Sequence, residues 1–221
     1  MGKLIVIEGT DGSGKATQTS RLFERLRNLR VNVLRVSFPN YESESSALIK
    51  MYLRGDFGGT AESVNPYAAA MFYAVDRFAS FQSWKDFFDD GGIVLADRYV
   101  ASNMAHQAAK FSRKVERERF WNWVEDIEMK KFQLPRPNLT IFLDMPPAIS
   151  AMLRQRRGRE DLHESDVAYM EKSYKVYHEL AQRFNWKIIN CAENNFARSS
   201  IDIEQDIFRL VEEMLLTSRR F

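Results

Sequence analysis

The chain has 221 residues, 28% charged and 45% apolar, with a net charge of +2 at pH 7. That length suits one domain with a substantial core, and the composition is that of a globular protein, neither fibrous nor disordered. So small a net charge leaves no footprint for nucleic acid or an anionic membrane, the single cysteine (Cys191) excludes an internal disulfide framework, and no apolar run approaches a membrane span.

Leu4 to Ile7 is too short for a signal peptide, and Val6 stands where a myristoylation site needs Ser or Thr. With a lone cysteine, this predicts a cytoplasmic protein. The three histidines, His106, His163 and His178, are too far apart to show a metal-site spacing.

The first element is a buried strand, Lys3-Leu4-Ile5-Val6-Ile7-Glu8. Gly9-Thr10-Asp11-Gly12-Ser13-Gly14-Lys15 follows at once, and a helical pattern begins at Ala16. A G-x-x-x-x-G-K run between strand and helix predicts a phosphate-binding loop. Its glycines let successive N–H groups face one anion, the helix N-terminus adds partial positive charge, and Lys15 reaches the β- and γ-phosphates. The next position usually carries a hydroxyl that ligates Mg²⁺. Here it is Ala16, and Thr17, about 100° further round the helix, does not take the same place.

Leu22, Leu26 and Leu29 recur at the spacing of a helix packed on a sheet. Val31 to Val36 predicts a second strand, ending in a turn at Phe38-Pro39-Asn40-Tyr41. Ser45 to Leu53 reads as helical. Pro66 opens a helix through Tyr67 to Trp84, in which Tyr73 and Arg77 face the same way and Phe72 reads as core. Ile93 to Ala96 is a third strand, with Asp97-Arg98-Tyr99 at its carboxyl end. Open parallel sheets bind ligands beyond those ends, so Asp97 and Arg98 share an edge with the Lys15 loop.

A helix through Ser102 to Ala109 and a charged helical stretch from Ser112 to Phe132 come next, stopped by Pro135 and Pro137. Leu139 to Leu143 is a fourth strand, closed by Asp144. Another helix leads into Arg154, Arg156, Arg157 and Arg159. Trp186 to Asn190 is a fifth strand, and the last helix carries Ile207, Leu210, Val211, Met214 and Leu215 on one face. Alternating strands and helices predict an α/β doubly wound parallel five-stranded sheet with helices on both faces.

Four stretches carry a resemblance together: Gly9 to Thr17, Phe38-Pro39, Asp97-Arg98-Tyr99 with Ser102-Asn103, and the arginine-rich run before His163-Glu164. They resemble thymidylate kinases, P-loop proteins of the nucleoside monophosphate kinase group, over nearly the whole chain. The resemblance implies a single P-loop kinase domain over residues 1–221, with a LID at about 152–166. It implies transfer of the γ-phosphoryl of ATP to dTMP, with Mg²⁺, in the supply of dTTP, by a homodimer. A phosphate oxygen acceptor is already ionised at pH 7, so positioning and charge neutralisation suffice without a general base.

The resemblance assigns residues as follows. Gly9 to Thr17 bind ATP, with Lys15 at the transferred phosphate. Arg98 grips the acceptor phosphate, its plainer alternative being a salt bridge to Asp97. Arg154, Arg157 and Arg159, with Arg156 among them, close over the group in flight. Asp11 lies against the dTMP sugar and phosphate, and Phe38 and Pro39 of the turn also bind dTMP. Tyr73, where Phe is usual, stacks on thymine and Arg77 contacts the base. Asn103 hydrogen-bonds the base with Ser102 beside it, His106 crowds the 2′ carbon against ribose, and Gln107 is a further candidate. Asp97 either orients Arg98 or helps hold Mg²⁺ through water.

Besides Tyr73, three positions bear on the comparison, and two of them, Tyr41 and Ala16, are departures from the family pattern. Gly12 stands where some members carry a basic residue, which leaves the LID to supply a catalytic arginine. Tyr41 stands where many have an arginine for the dTMP phosphate, and Ala16 lacks the metal-binding hydroxyl. Two alternatives stay open. One is a deoxynucleoside kinase or another monophosphate kinase; a nucleoside acceptor would need a general base such as Glu8. The other is a nucleotide-binding protein without kinase activity.

Overall fold

The computed structural model describes residues 2–155 and 166–217. Arg156, Arg157, Arg159 and the side chain of Arg154 therefore lie outside the described residues, as does most of the expected LID.

Strand β1 (Lys3–Glu8) is the middle of a five-stranded parallel sheet. Its Leu4, Ile5, Val6 and Ile7 have no exposed surface, as a parallel strand covered on both faces requires. The others are β2 (Val33–Ser37), β3 (Ile93–Asp97), β4 (Leu139–Asp144) and β5 (Lys187–Asn190), in the order β2-β3-β1-β4-β5. A short antiparallel hairpin, β6 (Ala192–Glu193) and β7 (Phe196–Ala197), was not apparent from the sequence. Among the described residues the α-helices are α1 (Lys15–Asn28), α2 (Ala47–Arg54), α3 (Pro66–Asp89), α4 (Val100–Ala108), α5 (Lys114–Glu125), α6 (Pro147–Gln155), α7 (Val167–Arg183) and α8 (Ser200–Thr217).

Side chains alternate across each strand, so one sheet serves two cores. On one face Ile5, Ile7, Leu95, Ile141 and Leu143 cluster with Leu22 and Leu26 of α1 and with Ile203, Ile207 and Val211 of α8. On the other, Leu4, Val6, Val94, Ala96 and Phe142 cluster with Trp84 of α3, Met104 of α4, Trp121 of α5 and Tyr177 of α7. Each such side chain contributes about 1.5–3 kcal/mol when fully buried.

Several boundaries differ from expectation. The helix opened by Pro66 runs unbroken past Trp84 to Asp89, and the one expected from Ser45 begins at Ala47. The second strand begins at Val33, not Val31, because residues 30 and 31 finish α1. Arg30 takes a left-handed conformation (φ +59°), its N–H reaching the Arg27 carbonyl at 2.8 Å, and the Val31 N–H reaches the Leu26 carbonyl at 3.0 Å. That is a Schellman closure, with arginine where glycine is usual. The charged stretch is α-helical only to Glu125. Asp126–Lys131 continues as a π-helix, and within it Glu128 is wholly buried.

Strand β1 leads towards β2, while its neighbour β3 leads to β4 on the other side of β1. The two connections leave in opposite directions, and a crevice opens at the carboxyl ends. The register sets Ile7 beside Asp97 there.

Candidate active site

The loop after β1 is shaped by its glycines. A Cβ on Gly9 (φ +156°) would lie 2.5 Å from Ser13 Oγ and 3.0 Å from the Leu143 carbonyl oxygen. Gly14, at φ +88°, is the N-cap of α1, a conformation that costs a non-glycine residue about 1–2 kcal/mol. The loop therefore turns sharply into the helix, and Lys15 is folded back over it, Nζ donating to the Thr10 carbonyl oxygen at 2.6 Å. Burial, then the neighbouring Arg98 charge, lowers the Lys15 pKa to about 8 against the pull of Asp11.

Arg98 is the other cation of the crevice. Its backbone is left-handed (φ +66°), and its N–H donates to the Ile7 carbonyl oxygen at 3.0 Å, locking the end of β3 to β1. Its ion-pair partner is Asp11, not Asp97. The same guanidinium donates to Ser102 Oγ at 3.1 Å and to the Gly9 carbonyl oxygen at 3.3 Å. Burial works against its charge, but the carboxylates around it, Asp11 first, outweigh that and raise its pKa.

Glu8 anchors this arrangement from behind. Its Oε1 accepts from the Tyr99 N–H at 2.8 Å and the Ser102 N–H at 3.1 Å, and Oε2 accepts from Ser102 Oγ at 2.7 Å. Tyr177 Oη reaches Oε2 at 3.3 Å. Burial pushes the Glu8 pKa up, against those hydrogen bonds. Glu8 has no exposed surface, and both its oxygens are engaged in these hydrogen bonds.

The crevice is a cavity of about 700 Å³. Asp11, Gly12, Gly14, Lys15, Ala16 and Thr17 line it on the loop side. Gly9, Thr10 and Ser13 do not, the latter two being buried. Across from the loop stand Phe38, Pro39 and Tyr41 from the turn after β2, and Tyr73 and Arg77 from α3. Asp97, Arg98, Ser102, Asn103, His106 and Gln107 complete that wall. Phe72 packs instead against Tyr52 and Phe57.

Arg77 is almost wholly buried and bidentate on Glu128: Nε–Oε2 is 2.6 Å and Nη2–Oε1 is 3.2 Å. Asn103 Nδ2 donates to Glu128 Oε1 at 3.0 Å and to the Ala70 carbonyl oxygen at 3.1 Å. The side-chain amide of Gln107 is buried with no hydrogen-bond partner among the described residues. Burying an amide so costs about 1–3 kcal/mol unless something else satisfies it.

Among the described residues no group of three or more His, Cys, Asp or Glu side chains is placed to hold a metal ion. Ala16 brings no hydroxyl, but Asp97 brings a carboxylate to the cavity wall. One carboxylate, with phosphate oxygens and water, is a ligand set that Mg²⁺ accepts, so the residues present fit that ion.

The thymidylate kinase family model matches residues 7–203. The chain belongs to the thymidylate kinase family. A thymidylate kinase of Mycobacterium tuberculosis (strain H37Rv) is 33% identical over 189 residues, covering 80% of this chain and 85% of the relative. A probable thymidylate kinase of Pyrococcus horikoshii is 34% identical over 220 residues, covering 97% and 98%. The human thymidylate kinase is 27% identical over 221 residues, covering 98% and 93%. No helix among the described residues is long and apolar enough to cross a membrane.

Sequence reasoning missed Glu128. A signal existed: it stands four residues after Val124 and seven after Trp121, both buried, so an acidic residue falls on the apolar stripe of the helix. It was lost among the charges of Asp126, Lys130 and Lys131.

Proposed function

We propose that the chain transfers the γ-phosphoryl group of ATP to dTMP. A dTMP phosphate oxygen bonds to the γ-phosphorus, the bond from that phosphorus to the β–γ bridging oxygen breaks, and dTDP and ADP leave. The observation that carries this is the pairing of two cations on one cavity, Lys15 buried and Arg98 partly so. Lys15 stands at the loop where the β- and γ-phosphates of ATP would lie, and Arg98 stands beside it where a second phosphate would lie. A planar guanidinium suits a phosphate bidentately. The burial and full engagement of Glu8 favour an acceptor that needs no base over a nucleoside hydroxyl.

Asp11 releases Arg98 when the acceptor phosphate arrives and stays against its sugar. Tyr73 stacks on the base between Phe38 and Pro39 of the turn and the α4 wall of Ser102, Asn103 and Gln107. Arg77 and Asn103 address the base edge, and His106 crowds the 2′ carbon. Arg154, Arg157 and Arg159 close from the LID. Mg²⁺, held by Asp97 through water and by the phosphates, would screen their charge. The enzyme works in the cytoplasm, consistent with the lone cysteine, Cys191, whose thiol burial pushes up to about 12. It works as a homodimer through the outer face of α3, where Val75 is 48% exposed and Phe78 39% exposed.

An ADP-release assay with ATP and Mg²⁺ against dTMP, dUMP, dCMP, AMP, GMP and thymidine tests this. Turnover with dTMP is expected. Turnover with thymidine alone, or ATP binding without turnover of any acceptor, overturns it.

A further inference from the structure

The wall of the cavity contains a buried ion pair that phosphate chemistry does not use. Glu128 and Arg77 are both almost wholly buried, and taking two charges out of water is expensive unless their geometry serves something. The geometry here fixes a hydrogen-bonding pattern. A carboxylate only accepts. Glu128 Oε1 therefore requires the nitrogen side of the Asn103 amide, and so does the Ala70 carbonyl oxygen. Both N–H bonds of Asn103 are thereby used, and its Oδ1 is left buried, with no partner among the described residues. On Arg77, Nε and Nη2 are directed at Glu128, and the guanidinium is flanked by the rings of Phe38 at 5.4 Å and Tyr99 at 5.6 Å. Nη1 makes no hydrogen bond to Glu128, and Arg77 lines the cavity.

We infer that Glu128 is a positioning residue that sets base preference through Arg77 and Asn103, so that the site takes a 4-oxo pyrimidine nucleotide and rejects a 4-amino one. Arg77 offers a donor and Asn103 an acceptor. Thymine and uracil offer the complement, an acceptor at O4 and a donor at N3–H. Cytosine offers a donor at N4 and an acceptor at N3, and mismatches both. A site built to hydrogen-bond one pattern rejects the other by about 10⁴-fold or more. The inference rests on the dTMP reading above.

Glu128→Gln tests it. Glutamine matches the size but replaces one acceptor oxygen with a donor, so Arg77 and Asn103 no longer both meet an acceptor, and Asn103 is free to turn its Nδ2 to the cavity. The measurement is kcat/KM for dTMP and for dCMP in wild type and variant, with a melting curve for each. The expected result is a fall of about tenfold or more in the dTMP:dCMP ratio, carried mainly by KM for dTMP. An equal loss for both nucleotides, leaving the ratio unchanged, marks Glu128 as merely structural and overturns the inference. Should Glu128→Gln not fold, Glu128→Asp, one methylene short of both partners, is read by the same ratio and the same criterion. Wild type that turns over dTMP with an unchanged variant ratio sinks this inference alone, whereas wild type that fails on dTMP sinks both it and the reading beneath it.

Discussion

Arg98 and Asp11 are ion-paired across 87 residues of sequence, joining the end of β3 to the loop after β1. The loop proposed to hold ATP and the side chain proposed to grip the acceptor are thus coupled before either nucleotide binds. The pair also keeps a partly buried guanidinium compensated, since a lone charge there would be costly.

Arg98→Ala should therefore damage the acceptor side far more than the ATP side. Removing one member of a buried, hydrogen-bonded charge pair costs about 2–5 kcal/mol; for this partly buried pair the low end, about 30-fold in kcat/KM for dTMP, is expected. The Kd for ATP, held by the loop backbone and Lys15, should change little. Comparable losses on both sides would show that the arginine supports the loop and does not grip the acceptor.

Glu8→Ala should act on stability. It strips the acceptor from the Tyr99 and Ser102 N–H groups at the start of α4 and from Ser102 Oγ, which in turn positions Arg98. Each buried donor left unmade costs about 1–3 kcal/mol, partly offset by removing a buried carboxylate, so a net loss of about 2–4 kcal/mol is expected in urea unfolding. A loss under about 0.5 kcal/mol would mean that water replaces the carboxylate at no cost.

The strands, the sharp glycine-rich turn after β1 and the edge on which Asp97 and Arg98 fall were legible because each is a local pattern: an apolar run, a glycine spacing, a charged pair closing a strand. What the sequence hid is long-range pairing. Nothing in Asp97-Arg98 says that Arg98 reaches Asp11 and not its neighbour, and nothing near Glu128 says that Arg77, 51 residues away, is its partner. Glu8 looked like an acid at a strand end, available for chemistry, until burial showed it engaged. The π-helix hid the inward acid because a charged helical stretch reads by default as a solvated face.

Ala16→Ser should lower the Mg²⁺ requirement. Ala16 is exposed and lines the cavity, so a hydroxyl has room. One added polar contact of about 0.5–1.5 kcal/mol corresponds to a roughly 2- to 10-fold fall in the Mg²⁺ concentration for half-maximal rate. No change would indicate that Asp97 and the phosphates already complete the metal's shell.

Phe78→Glu should dissociate the proposed homodimer. Phe78 and Val75 lie on the outer face of α3, with Phe78 resting on Phe132 at 5.1 Å between ring centroids. A carboxylate there would be stranded in an apolar contact. Sedimentation should show wild-type dimer and variant monomer, with α3 intact by circular dichroism. A variant that stays dimeric places the interface elsewhere.

ATP affinity should fall as pH rises through about 8. In the free protein Lys15 is charged below that value and neutral above it, because burial has lowered its pKa from 10.5. Bound phosphates favour the charged form, so binding must take up a proton once the free lysine has lost its own. Linkage then reduces the association constant by up to about tenfold per pH unit above 8, with little change between pH 7 and 7.5. Other buried groups of the site do not compete in this window: Arg98, Tyr99 and Tyr177 are all shifted upward. Lys110 is also lowered to about 8, but it is held by Tyr52 and the Val64 carbonyl and does not line the cavity. Lys110→Met should therefore keep the slope and Lys15→Met should abolish it. Calorimetry at pH 8.5 in buffers of different ionisation enthalpy should register proton uptake by wild type. No uptake there, or a slope that survives Lys15→Met, would show that Lys15 is already charged before the nucleotide arrives.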